Sequence, residues 1–256
     1  MYKKVIQLYK PVGKTPLDMI RLLRRHYPQW RDTALGYAGR LDPMAEGLLL
    51  ILADDENNKR KTYERLEKEY EFEVLFGITT DTYDPLGIVQ SFEEIPSNIE
   101  EAFRKYAPAI IGKHVQPYPP YSSARVNGKP LFYWARLNKL QDIRIPEKII
   151  EISDFQIKNI KYLQLKDIYN RIMERIDLVH GDFRQEEITK TWNKAYAEYA
   201  EKQCMIAACR IVCSSGTYVR SLAHLIGKNL GTGALALSIK RTRIGNFELG
   251  DALKLT

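Results

Sequence analysis

Between residues 68 and 76 polar and apolar side chains alternate. Tyr70, Phe72, Val74 and Phe76 fall on one side, and Glu69, Glu71, Glu73 and Leu75 on the other. A period of two is the signature of a strand with one buried face. Residues 5–8 read as a shorter strand that runs into a turn at 9–13. Leu48, Leu49, Leu50, Ile51 and Leu52 form a continuous apolar run, as a strand covered on both faces would. Strands are also expected at 88–92, 204–213 and about 235–240, with 116–120 extended and proline-rich.

Helical spacing marks other segments. Thr15-Pro16-Leu17-Asp18 combines a capping hydroxyl, a proline at the first helical position and an acid at the positive end. That helix should run to about Tyr27 and bury Leu17, Ile20 and Leu23. Residues 57–66 look helical and charged, and Ser97 with Glu100 suggests a capping box for a helix ending near Tyr106. Thr217 is the expected cap of a helix carrying Val219, Leu222, Ala223, Leu225, Ile226 and Leu230, which Gly231 stops. Within 161–203 two apolar stripes stand apart: Ile168, Ile172, Ile176 and Val179, then Ile188, Trp192, Tyr196 and Tyr199. With His180-Gly181-Asp182 as a turn between them, this reads as a helical hairpin inserted between two strands.

Composition narrows the class. The 256 residues are 45% hydrophobic, sufficient for a sizeable core, and 28% charged. A formal charge of +7 favours an acidic partner such as nucleic acid, although ordinary surfaces carry similar excesses. No apolar run nears the ~20 residues that span a bilayer, and residues 1–8 are too short and polar for a secretory signal. A cytoplasmic location is the default expectation. Cys204, Cys209 and Cys213 fit neither a disulfide framework nor a zinc site and read as reduced, half-buried thiols. His26, His114, His180 and His224 are scattered, which argues against a metal centre.

The candidate chemistry centres on Gly36-Tyr37-Ala38-Gly39-Arg40-Leu41-Asp42-Pro43. Glycines allow a sharp turn and close approach to a ligand, and proline constrains the backbone immediately after the aspartate. A carboxylate presented this way can serve as a nucleophile, or it can simply make a turn. Arg220 lies in the first turn of its helix, where the dipole opposes a cation by ~0.3–1 kcal/mol. A carboxylate beside it would remove that penalty. Residues 121–136 interleave aromatics with Arg125, Lys129 and Arg136, a mixture suited to phosphates and bases and equally to an exposed loop that touches nothing.

Taken together, the segments resemble the TruB family of tRNA pseudouridine synthases. Five stretches match in order: Tyr9-Lys10-Pro11-Val12-Gly13-Lys14-Thr15, the Asp42 loop, 76–87, 116–136 and 215–234. The resemblance implies an α+β pseudouridine synthase fold, with a curved, mainly antiparallel mixed sheet, flanking helices on its outer side and an inserted helical hairpin. It implies one catalytic domain over 1–256, with an RNA-clasping insertion at 121–149 and the hairpin at 161–203. The implied reaction is isomerisation of uridine to pseudouridine in the tRNA T-loop, at position 55 of the usual tRNA count, without cofactor or metal. Asp42 would be the catalytic carboxylate, attacking base or sugar, and Arg220 the partner that favours its ionised form and orients it. Tyr70 would stack on the target base and assist at C5. Tyr218 and Ile239 would line the base pocket, with Lys10 supporting. Arg125, Lys129 and Arg136 would hold the T-arm. The implied partner is tRNA; a monomer with no obligatory protein partner is expected.

Three departures qualify this. Tyr37 stands where the family usually has histidine, so handling of the flipped loop is in question. Arg40 is more typical of ribosomal-RNA synthases, which makes them the runner-up. The small C-terminal RNA-binding domain of many relatives is not expected here, and Lys166, Arg171, Arg175, Lys190 and Lys194 of the hairpin could supply substitute contacts. A tRNA-folding chaperone with dispensable catalysis, or an RNA-guided subunit, are the other readings.

Overall fold

The computed structural model of the protein describes residues 4–255. The chain begins with β1 (Val5–Lys10), α1 (Pro16–His26), β2 (Leu35–Ala38) and β3 (Ala45–Ala53). It continues through α2 (Arg60–Arg65), β4 (Lys68–Phe76), β5 (Ile78–Thr80), β6 (Val89–Phe92), α3 (Ile99–Tyr106) and β7 (Gly112–Pro117). A small unit comes next: β8 (Arg125–Val126), β9 (Lys129–Pro130) and α4 (Leu131–Arg136). Then come β10 (Glu147–Gln164), α5 (Leu165–Asp177), α6 (Gln185–Tyr199), β11 (Gln203–Cys213), α7 (Val219–Asn229), β12 (Ala234–Ile244), β13 (Phe247–Glu248) and β14 (Leu253–Lys254).

Ten strands join in one sheet with the order β14-β1-β3-β12-β4-β11-β10-β7, while β2 pairs with β3 and β13 with β12. Two pairings are parallel, β1 with β14 and β12 with β3; the others are antiparallel. The alternation in β4 sets the two faces. Tyr70, Phe72, Val74 and Phe76 pack with Ile99 and Phe103 of α3 and with Val219, Leu222, Ala223 and Ile226 of α7. Leu75, on the opposite face, packs with Ile168, Ile172 and Ile176 of α5 and with Ile188 and Trp192 of α6. Helices therefore cover both faces, where one outer side was expected. The second face carries the inserted hairpin, whose apolar stripes need a partner surface.

The insert begins four residues later than anticipated, because β10 runs on to Gln164 and pairs there with Gln203 of β11. Its second stripe is Ile188, Trp192 and Ala195; Tyr196 is exposed, one step round the helix from the buried face. Three of its cations have internal partners: Lys166 pairs with Glu201, Arg171 with Glu73, and Arg175 donates to the Met44 carbonyl at 2.9 Å.

Local signals were followed unevenly. Thr15 caps α1 as expected and closes a capping box with Asp18, but the buried residues there are Pro16, Met19, Ile20 and Leu23, and Leu17 is exposed. Asn98, not Ser97, precedes α3, and no side chain caps it. Tyr218 occupies the N-cap of α7, while the Thr217 hydroxyl bonds the Ser214 carbonyl. All three cysteines are free and fully buried, Cys204 on the face opposite Cys209 and Cys213.

One irregularity positions the site. The register of β12 against β4 slips between Ala236 and Ser238. Beyond that bulge Ile239 stands opposite Phe72, and Arg241 opposite Tyr70. A one-residue slip moves side chains to the other face of a sheet. Ile239 and Arg241 thereby join the Tyr70 face, where unbroken alternation from Ala234 would have placed Ser238 and Lys240.

Candidate active site

Asp42 sits in the loop between β2 and β3, which is tied down on several sides. Gly39 adopts φ +74°, a left-handed conformation that glycine takes without strain. The Ala45 N–H donates to the Asp42 carbonyl at 3.0 Å, and the Gly13 N–H to the Pro43 carbonyl at 2.9 Å. Arg241, almost fully buried, donates from Nε to the Leu48 carbonyl (2.8 Å) and from Nη2 to the Gly39 carbonyl (3.1 Å). Its own backbone crosses Gly47 so closely that a Cβ there would lie 2.3 Å from the Arg241 carbonyl oxygen. The loop is thus clamped between a guanidinium and a strand crossing that only glycine permits.

The Asp42 carboxylate remains reachable at 38% side-chain exposure, whereas the Arg220 side chain is only 3% exposed. Arg220 Nε donates to Asp42 Oδ2 at 2.9 Å. Its other two nitrogens donate at 2.8 Å to the carbonyls of Thr82 and Tyr121. All three nitrogens of the guanidinium are therefore engaged, and rotation away from the acid would break two further bonds. Burial alone would weaken the charge on Arg220, but the carboxylates of Asp42 and Asp84 outweigh it, and its pKa lies above the ordinary value. The residues come from opposite ends of the chain, and the partner anticipated for the first-turn arginine of α7 is present.

A cleft of about 710 Å³ opens onto this pair. Tyr37, Tyr70, Tyr218 and Ile239 all line it. Tyr70 is nearly buried; loss of solvent pushes its phenol up, and Arg241 beside it pulls the other way. Tyr218 is fixed through its backbone, which exchanges hydrogen bonds with the Gln116 side chain at 2.8 and 3.1 Å. Tyr37 lies beneath the Arg60 guanidinium, 5.1 Å from its ring centre. Lys10 is wholly buried behind the loop and donates to the carbonyls of Pro11 (3.0 Å) and Lys14 (2.7 Å). Burial pushes its ammonium down to about 7, against the pull of Asp42.

The three basic residues of the 121–136 segment separate. Arg125 and Lys129 are exposed around the Asn127-Gly128 turn, and Lys129 lies over the Tyr133 ring. Arg136 instead bonds Asp182 at the hairpin tip at 2.7 Å.

Several cleft residues escaped sequence reasoning. Lys61, Arg65, Lys68, Lys148 and Arg241 line the cleft with Arg40 and Arg220, against the acids Asp42 and Glu64. Such an excess of cations attracts a polyanion. Lys68 is held by the carbonyls of Glu64 and Leu66, and its burial pushes it down to about 8. Asp84 is buried behind Arg220, where desolvation raises it to about 6. Among the described residues there is no group of three or more His, Cys, Asp or Glu arranged to hold a metal ion, and no helix is long and apolar enough to cross a membrane.

This architecture has counterparts among solved structures. Over 98% of its length the chain is similar to one from a Cbf5-Nop10-Gar1 complex (TM-score 0.58, 17% identity) and to one from an H/ACA RNP bound to a substrate RNA containing 2'-deoxyuridine (TM-score 0.58, 17% identity). It spans about half of those solved chains, 52% and 50%. The model of the TruB family pseudouridylate synthase N-terminal domain matches residues 27–172. A tRNA pseudouridine synthase B from Opitutus terrae is 30% identical over 251 residues, covering 98% of this chain and 85% of the relative. Another from Bacillus cytotoxicus is 30% identical over 253 residues, covering 97% and 68%. The chain belongs to the TruB family of pseudouridylate synthases and is an isomerase.

Proposed function

We propose that the protein converts uridine to pseudouridine in the T-loop of tRNA, with Asp42 as the attacking carboxylate. The observation that carries this reading is the 2.9 Å pair between buried Arg220 and reachable Asp42 at the floor of a cation-lined cleft. The relatives named tRNA pseudouridine synthase B support tRNA as the substrate.

In the net reaction the N1–C1′ bond breaks and a C5–C1′ bond forms. The base gains a proton at N1 and loses one from C5, so no oxidant or co-reactant enters the balance. The target base must leave its stack, at a cost of a few kcal/mol. Contacts between the lining cations and phosphates offset that cost, together with stacking on Tyr70, Tyr218 or Tyr37. Because burial keeps the Tyr70 phenol protonated, it is suited to stacking and hydrogen-bond donation more than to removing the C5 proton. Arg220 contributes by holding the carboxylate in one orientation, where positioning has its effect on rate. Lys10 braces the 11–14 turn, whose Gly13 N–H holds the Pro43 carbonyl, and Ile239 supplies an apolar wall to the base pocket. Arg125 and Lys129 bind the T-arm backbone.

The purified chain should form pseudouridine in an isolated T-arm stem-loop, with no guide RNA or protein partner. Modification of ribosomal RNA with none of the stem-loop would favour the ribosomal-RNA reading that Arg40 suggests.

A further inference from the structure

We propose that Arg184, at the tip of the inserted hairpin, is a positioning residue for the catalytic pair. Two backbone segments fix the Arg220 guanidinium, one through the Thr82 carbonyl and one through the Tyr121 carbonyl. Arg184 grips both. Its Nη1 and Nη2 donate to the two carboxylate oxygens of Asp81, next to Thr82, at 2.8 and 3.3 Å. Its guanidinium carbon lies 4.2 Å from the centre of the Tyr121 ring. Asp81 in turn accepts from the Ile88 N–H at 2.8 Å, so the ion pair is anchored to the turn that carries Thr82.

The ion pair is well shielded, with side chains 17% and 21% exposed, so water screens it little. Arg184 also adopts φ +63° and ψ +31°, a left-handed conformation that is strained for a non-glycine residue. Such strain persists where surrounding contacts over-determine it, and it concentrates at functional positions. Neighbouring residues of the tip point the same way. Asp182 pairs with Arg136 of α4, and Phe183 lines the cleft beside Asp42. A 420 Å³ side cavity between the tip, α4 and the 82–86 turn also reaches Asp42. The insert is thus more than surface decoration: its tip completes the wall that holds Arg220 still.

This inference rests on the reading of Asp42 and Arg220 as the catalytic pair, and the test separates the two. Single-turnover rate, tRNA affinity and thermal stability are measured for Arg184→Gln, Arg184→Lys, Asp81→Asn, the double variant Arg184→Gln/Asp81→Asn, and Asp42→Asn. Expected for Arg184→Gln is a rate lowered about 10- to 100-fold, the range that small misplacement of a reacting group produces, at saturating tRNA and well below the unfolding temperature. Affinity should change less than about threefold, Arg184→Lys should recover part of the rate, and the double variant should be no slower than the worse single one. An unchanged rate in Arg184→Gln, or rate losses that multiply in the double variant, overturns the positioning role. Loss confined to affinity or stability overturns it too. Should Asp42→Asn keep full activity, the catalytic reading itself fails, whatever Arg184 does.

Discussion

Replacing Arg220 with methionine keeps most of its volume and removes the guanidinium. Three hydrogen bonds go: one to Asp42 and two to the carbonyls of Thr82 and Tyr121. Asp42 is partly open to water, so losing its partner contributes modestly. The two carbonyls lose a charged donor in a buried setting, at about 1–3 kcal/mol each. Asp84 loses the cation that holds its carboxylate ionised against burial. The sum is about 3–5 kcal/mol, the usual cost of removing one partner from a buried ionic network. Urea denaturation should show a lower midpoint at an unchanged slope, and melting should fall by roughly 10 °C. The variant carrying both Arg220→Met and Asp84→Asn should be more stable than the sum of the two single changes predicts, because the second change removes the stranded acid. A loss below about 1 kcal/mol, or simple additivity, would refute the picture of one closed network around the guanidinium.

The same geometry fixes two further outcomes. Asp84 is raised to about 6 in the fold, above its value in the unfolded chain, so the folded state holds that proton more tightly. Its burial therefore penalises stability fully above about pH 6, and the penalty is relieved as pH falls towards 4. The amount is about 3 kcal/mol. Asp84→Asn should flatten the melting temperature across that window, and an unaltered profile would count against the assignment. At Gly47 (φ +110°) an added Cβ would meet the Arg241 backbone at 2.3 Å. Gly47→Ala should therefore cost more than about 3 kcal/mol and disturb the Asp42 loop, whereas Gly128→Ala meets no atom and carries only its backbone strain; equal melting temperatures for the two variants would contradict the crossing.

What the sequence made legible was local. The alternation in β4, the Thr15-Pro16-Asp18 start of α1 and the stop at Gly231 all depend on residues a few positions apart, and they stand where expected. The Asp42 loop and the first-turn arginine were visible for the same reason. Pairings across long stretches of chain were not. Asp81 with Arg184 spans 103 positions and Asp182 with Arg136 spans 46, so no window on the sequence brings them together. Arg241 was hidden differently: a bulge in β12 turns it onto the cleft face, and nothing between Ala236 and Ser238 announces the bulge. Leu17 and Tyr196 were misplaced because helical spacing defines an apolar stripe only to within a residue, while packing selects which edge of it is covered.

The most direct measurement is pseudouridine mapping on an unmodified tRNA transcript, incubated with excess protein carrying either Asp42 or the Asp42→Asn change, with binding measured alongside. The account predicts one T-loop pseudouridine with the native carboxylate, and with asparagine none despite comparable tRNA binding. Pseudouridine at that site from the asparagine protein would contradict it.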